Sequence, residues 1–486
     1  MSGSVRRSIA FSVMDRYAST GIGFVTTIVL SRLLTPTDYG VFAIALSFVV
    51  LADIFRDFGT GNYLLQAPQL TDRKLRSAFT AMLGTSTLCA LALLLATPAI
   101  VSFYGDARFW SLMPIFAANL MLGPFIIIGF SLLRRKLAFG TLAGISLLAT
   151  AVNFVVVVTL ALLGHGVMSL AWATLAASTV RLVAVWTVHP CFSAFRISLH
   201  GWKDPFEFGV VATSTSILNV VYEYLPQLII GRGIGLASAG LFGRATSLCQ
   251  LPDRLVVSTL SPVLLPALSQ QARAGVPLKP AYLFALSHMS ALQWPILLCL
   301  ALLAEPVVLI LYGAQWMEVA PLARIMALAA LALFPAFMTC PTLIAAGHVR
   351  DTLWMSLLSL PPSMLLIFAA SPYGLEAMAA TQFVNAPLQV FVAVSFIGRR
   401  IGVSWAEIGR AVARSAVVAL CSAVAPALVI VMQGGFSFGI SHPALAFAVG
   451  GAAAGWLAGL VISRHPLLEE LGNGMKLVRS NFRRWA

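Results

Sequence analysis

The chain has 486 residues, of which 59% are hydrophobic and 10% charged, with a mean hydropathy of +0.92. Too few polar side chains remain to cover a water-soluble surface, so a soluble enzyme or scaffold is excluded. The formal net charge of +14 does not point to nucleic acid, because the basic residues fall between apolar runs, where they orient membrane helices.

A run of about 20 apolar residues crosses the hydrocarbon core as a helix. About fourteen runs meet that criterion, and little sequence is left between them for a soluble domain. Helices are required because lipid cannot satisfy free backbone groups, and the long uncharged runs do not alternate as barrel strands would. The basic amino terminus and its apolar stretch resemble a signal peptide, but Asp15 and Arg16 interrupt it and no small-residue cleavage site follows. It reads as a retained first helix.

The predicted helices are 9–33, 39–59, 77–103, 111–133, 139–163, 167–188, 206–230, 238–262, 282–304, 320–345, 352–371, 375–398, 411–432 and 442–463. With the amino terminus in the cytoplasm, the inner connections carry Arg73, Lys74, Arg76, Arg134, Arg135, Lys136, Arg196, Lys203, Arg273, Lys279, Arg350, Arg399 and Arg400. The carboxyl tail adds Arg464, Lys476, Arg479, Arg483 and Arg484, whereas the outer side has little beyond Arg108 and Arg232, with Arg32 close by. This asymmetry predicts an even number of spans and both ends in the cytoplasm. The expected fold class is an all-α integral membrane protein with about 14 transmembrane helices.

An internal echo organises the chain. Residues 30–53 recur as residues 230–253 without a gap. The identical pairs are Arg32/Arg232, Gly40/Gly240, Phe42/Phe242, Ala45/Ala245, Ser47/Ser247, Leu51/Leu251 and Asp53/Asp253. The echo falls in helices one–two and seven–eight, which predicts two parallel six-helix lobes related by an axis along the membrane normal. The expected division is 1–200, 201–405, and a remainder of 406–486 with two extra helices and a basic cytoplasmic tail.

The stretch Ser31 to Gln66, with Arg32, Pro36, Asp38, Tyr39 and Gly40 at the first turn and FRDFGTGNYLLQ after it, resembles the first hairpin of bacterial polysaccharide-export flippases. These are the Wzx-type transporters of the multidrug/oligosaccharidyl-lipid/polysaccharide (MOP) superfamily. The resemblance covers roughly residues 8–400. It implies a flippase that moves an undecaprenyl-pyrophosphate-linked sugar unit from the cytoplasmic to the outer leaflet. It further implies two lobes around a cavity whose basic residues hold the anionic headgroup.

Ionisable residues within membrane helices cost a few kcal/mol each, so they mark candidate sites. Arg16 in one lobe, with Arg244 and Arg324 in the other, would embrace a pyrophosphate through guanidinium forks that stay charged when desolvated. Asp15 would orient Arg16. Asn153, Asn219, Tyr222, Gln382 and Asn385 suit sugar hydroxyls. Glu223 is either a proton or sodium coupling site or the ion-pair partner of an arginine such as Arg244.

Other polar residues read as scaffold. Arg181 and Arg254 are placed to snorkel, Arg32 and Arg232 mark outer helix ends, and Asp53 and Asp253 are expected to pair with Arg56 and Arg254. His288 reads as a packed polar residue. Prolines concentrated in the second half are either hinges or static kinks. Gly451 and Gly455 permit close helix contact, within the monomer among other arrangements.

The six cysteines are scattered without a CxxC pair and the histidines offer no metal-ligand spacing, so neither disulfide nor metal is expected. No cofactor is expected beyond coupling to a proton or sodium gradient, and no P-loop is present for ATP hydrolysis. The expected protein is a transporter rather than an enzyme. Its partners would be a lipid-linked oligosaccharide, the phospholipid bilayer of the bacterial inner membrane and a glycan polymerase with export machinery, with no nucleic acid. The alternative is a cation-coupled small-molecule exporter on the same fold, which would favour an acidic, aromatic cavity.

Overall fold

The computed structural model describes residues 3–57, 64, 71–188, 190, 195–196, 204–255, 257–433, 435, 442–470 and 472; side chains within 3–15, 57, 204–215, 254–264 and 442 lie outside the description. The described chain is helical throughout, with no strand. Ten of the described helices are long and apolar enough to cross a membrane, or eleven if Val319–Ala330 and Phe334–Ala345, bent by 52°, form one span. The chain is a multi-pass membrane protein.

Two compact units emerge: residues 1–243 with 311–315, and residues 244–310 with 316–486. The first contains α1 (Gly3–Leu33), α2 (Pro36–Asp57), α3 (Asp72–Tyr104), α4 (Phe109–Arg135), α5 (Phe139–Leu162), α6 (Met168–Val188) and α7 (Asp204–Gly233). One of its apolar clusters gathers Phe79 and Met82 of α3, Ile128 of α4, Ile145 of α5 and Val185 of α6. Helix α7 packs along α2 and also meets α3.

The chain then runs through α8 (Leu236–Cys249), α9 (Leu251–Leu255), α10 (Val257–Arg273), α11 (Lys279–Leu302), α12 (Ala304–Leu311), α13 (Val319–Ala330) and α14 (Phe334–Ala345). It continues with α15 (Val349–Ala370), α16 (Leu375–Ala380), α17 (Gln382–Ile401), α18 (Trp405–Met432) and α19 (His442–Ile462). Tyr282, Met338 and Ile397 belong to an apolar cluster of the second unit. The helix expected over 238–262 is interrupted at Gln250, two residues before Pro252, which has no N–H to donate to the preceding turn.

The echo has a structural meaning at its glycines. A Cβ on Gly40 would fall on the Leu236 carbonyl, and a Cβ on Gly240 would fall on the Pro36 carbonyl. The contact is reciprocal, so the two copies cross backbone to backbone. Only glycine allows that approach.

Four prolines, three inside helices and Pro335 at the start of α14, offer no N–H to the carbonyl four residues earlier, and the fold supplies each of these carbonyls with a side-chain donor from another element. Pro124 frees Leu120 O, which accepts from Arg56 Nη1 at 3.4 Å. Pro295 frees Ala291 O, which accepts from Trp456 Nε1 at 2.9 Å. Pro335 frees Leu331 O, which accepts from Trp294 Nε1 at 2.8 Å. Pro426 frees Ser422 O, which accepts from the Cys299 thiol at 3.8 Å. Each donor satisfies a carbonyl that lipid would leave unpaired.

The small-residue stripe of α19 is used within the chain. A Cβ on Gly455 would meet the Cys421 carbonyl, and one on Gly459 would lie 2.7 Å from Val418 Cα. Helices α18 and α19 therefore pack closely along glycines, as small-xxx-small helices do. Their inner edge is held by His465, which is 1% exposed. Its Nδ1 accepts from Leu467 N–H at 3.1 Å, so its Nε2 carries the proton and faces the hydroxyls of Ser287, 3.0 Å away, and Ser415, 3.2 Å away.

Candidate functional site

The second copy of the repeat carries the most deeply buried arginine among the described residues. Arg244 on α8 is 7% exposed, and its guanidinium lies 5.5 Å from the ring centroid of Trp316. Trp316 is fully buried in the short 3-10 turn Ala314–Trp316. A cation over an indole is held in a plane without losing charge, and its in-plane N–H groups remain suited to oxyanions. The equivalent position in the first copy is Ile44, which is fully buried.

One face of α8 continues this polar track. Thr246 reaches Met326 Sδ at 3.9 Å and the Cys249 thiol donates to Ala323 O at 3.4 Å, both on α13. On α9, Asp253 accepts a 2.6 Å hydrogen bond from Gln293 Nε2. The expected Asp253 partner, Arg254, has its side chain outside the described residues. Arg324 on α13 donates to Ala301 O at 3.2 Å and pairs with Glu305 Oε1 at 3.4 Å, so its charge is partly met by its own unit.

The remaining predicted residues are distributed as follows. Arg16 is exposed on α1, Asn153 is half-buried on α5, and on α7 Tyr222 is half-buried while Asn219 and Glu223 are exposed. All five belong to the first unit, and Arg244 and Arg324 to the second. Asp15 lies on α1 with its side chain outside the description. Gln382 is half-buried at the start of α17. Asn385 turns inward: it is 1% exposed, with Nδ2 against Thr381 Oγ1 at 3.5 Å. His288 is a packed residue, its Nδ1 donating to Phe284 O at 2.8 Å.

Sequence reasoning missed three features. Trp316 gave no signal, because it sits nowhere near Arg244 in the chain. Gln293 was invisible among apolar neighbours. The third is a charge cluster at the first turn of the repeat. Thr35 caps α2, with Asp38 N–H donating to Thr35 Oγ1 at 3.2 Å and Thr35 N–H donating to Asp38 Oδ2 at 3.1 Å. Arg108 then bridges Asp38 at 2.8 Å and Asp106 at 2.6 Å. The Arg108 guanidinium, chiefly by hydrogen bonding, holds the Asp106 carboxyl below its usual range. The Thr-Pro-Thr-Asp-Tyr-Gly stretch is thus a helix start and a docking point for Arg108. A capping box with proline at the first helical position could have been recognised from its spacing.

The family described as "Polysaccharide biosynthesis protein" matches residues 29–321, which is more than half of the chain and contains both copies of the repeat. The protein belongs to that family. Among similar members, the succinoglycan biosynthesis transport protein ExoT of Rhizobium meliloti (strain 1021) is 27% identical over 355 residues, 73% of this chain and 72% of that protein. The lipopolysaccharide biosynthesis protein WzxC of Escherichia coli (strain K12) is 22% identical over 308 residues, 63% of each chain.

Solved structures agree on the fold. The lipid II flippase MurJ in an inward closed conformation superposes with a TM-score of 0.72 at 13% identity, covering 95% of this chain and 100% of that one. An outward-facing multidrug resistance MATE transporter of the MOP superfamily gives 0.58 at 14% identity, covering 82% and 95%. This polysaccharide biosynthesis family protein therefore has the helical fold shared by MOP superfamily transporters.

Proposed function

We propose that this protein is a flippase that carries an undecaprenyl-pyrophosphate-linked oligosaccharide repeat unit from the cytoplasmic to the outer leaflet. It works by alternating access, for the synthesis of a surface polysaccharide. Family membership supports the polysaccharide setting, and the names of ExoT and WzxC support transport within it. The observation that carries the substrate class is Arg244. Its guanidinium is almost wholly withdrawn from the surface and lies over an indole, and a rigid fork that stays charged inside a membrane bundle suits a phosphate oxyanion.

In this reading Arg244 binds the pyrophosphate, with Arg16 of the first unit and Arg324 as further cationic contacts. Asn153, Asn219, Tyr222 and Gln382 offer hydroxyl and amide groups to the sugars. Asn385 is least suited, being turned into the core. The protein sits in the bacterial inner membrane with both termini in the cytoplasm, hands its product to a polymerase and export machinery, and draws on an ion gradient. It has no catalytic step of its own.

Deletion of the protein tests this directly. The expected result is lipid-linked repeat units trapped on the cytoplasmic side and loss of the surface glycan. Normal outer-leaflet delivery in the deletion strain would refute the reading. Arg16→Ala should lower glycan export while the protein remains in the membrane.

A further inference from the structure

Asp53 and Asp253 occupy the same place in the two copies of the repeat, and the fold gives them unlike partners. Asp53 pairs with Arg56 one turn later at 3.1 Å. Arg56 is itself fixed, with Nη1 on Leu120 O and its guanidinium filling the notch left by Gly123. Asp53 thus has a cation held beside it by its own unit. Three positions after Asp253 the sequence has Val256 instead of arginine. The partner of Asp253 is the neutral amide of Gln293 at 2.6 Å, and Gln293 is 2% exposed.

An amide N–H orients a carboxyl oxygen in either protonation state, yet it cannot neutralise the charge. The surroundings add no cation among the described side chains. On α8, Cys249 donates its thiol to Ala323 O. On α11, which packs against α9, Lys279 pairs with Glu407, Tyr282 bonds Thr339, His288 bonds Phe284 O and Cys299 bonds Ser422 O. On α10, Arg273 bonds Ser269 O. Arg254 adjoins Asp253 in sequence, with its side chain outside the description.

We propose that Asp253 and Gln293 form a proton-binding site in the second unit, the counterpart of the fixed Asp53–Arg56 pair in the first. Gln293 holds Oδ1 while Oδ2 accepts a proton from water. The proton returns to water when the site is next hydrated, so no other reactant is needed. Its use in driving transport rests on the flippase reading, whereas proton binding does not.

The test uses the full-length protein in lipid nanodiscs and infrared difference spectra recorded across a pH titration in sodium-free buffer. The wild type should show the carbonyl stretch of a protonated carboxyl growing as pH falls. Asp253→Asn should remove that band, and Gln293→Leu should shift it. Val256→Arg, which rebuilds the spacing of Asp53 and Arg56, should remove the band while leaving the carboxyl in place. A band unchanged in Asp253→Asn would overturn the proposal. Should that variant fail to fold, an unchanged band in both Gln293→Leu and Val256→Arg would overturn it equally. Glycan export is read separately: a wild-type phenotype on deletion of the protein counts against the flippase reading and leaves the infrared result standing.

Discussion

Helix α2 and its echo, α8 with α9, start alike and then part. Both bury an alanine fully at the same position, Ala45 and Ala245, and both present a glycine to the other's backbone. Beyond that crossing, α2 is continuous and apolar, with Ile44 buried and Asp53 neutralised by Arg56. The second copy breaks at Gln250, buries Arg244 against Trp316 and leaves Asp253 to an amide. Duplication supplied one scaffold twice. The matched glycines and alanines are those that geometry demands. The matched Asp53 and Asp253 share a position but not a partner, and Arg244 stands where the first copy has Ile44. Identity within the repeat therefore marks the crossing, and the surroundings of the ionisable groups differ between the copies.

The glycine crossing is the shared part and should be the most sensitive. Gly40→Val and Gly240→Val each place a side chain on a backbone carbonyl that cannot rotate away. We expect a loss of about 3 kcal/mol or more, read as loss of monodisperse protein after detergent extraction. Survival of either variant at wild-type yield would break the view that the copies meet there.

Arg244→Ile makes the second copy resemble the first. Surface glycan should be abolished while yield and thermal stability are kept or improved, because a buried cation replaced by a packed hydrophobe often gains stability. Retained glycan would remove Arg244 from the binding role. Arg244→Lys should be nearly as severe if the planar fork matters.

Trp456→Phe keeps the ring and removes the donor to Ala291 O, leaving a buried carbonyl unpaired at the Pro295 bend. The expected cost is about 1–3 kcal/mol, measured as a lowered melting temperature. Pro295→Ala in the same background should recover part of it, since the helix then supplies its own N–H.

The smallest effect is a pH dependence in the second unit. Burial, with the nearby His288 and Arg414 charges, lowers the His465 pKa from 6.5 to about 4. A lowered histidine pKa means that the unfolded chain binds the proton first. Stability from this anchor is full above about pH 6.5 and declines as pH falls toward 4. His465→Gln should flatten that decline in melting curves taken between those values.

The helical class and the transporter family were legible in the sequence because both follow from quantities local to the chain. Uninterrupted apolar length allows only helices in lipid, and the hairpin at 31–66 is contiguous. The repeat was legible for the same reason, being held in one register. Of the candidate residues, the charged ones are the most visible in the sequence: Arg244 stands out because arginine is rare in such runs. The burial of Asn385 depends on how its helix is rotated in the bundle, which a lone amide in an apolar run does not reveal.

Sequence by itself determined that this chain is a helical membrane bundle built on an echo, since hydropathy, charge placement and register need no third dimension. Tertiary structure alone decided which groups meet: that Trp316 lies under Arg244, that Gln293 rather than an arginine reaches Asp253, and that Arg56, Trp294, Trp456 and Cys299 fill the carbonyls freed by prolines. Each of those contacts joins residues from different elements, far apart in the chain. In a medium without water, a polar atom takes whatever donor packing brings within reach, and only the folded bundle specifies which donor that is.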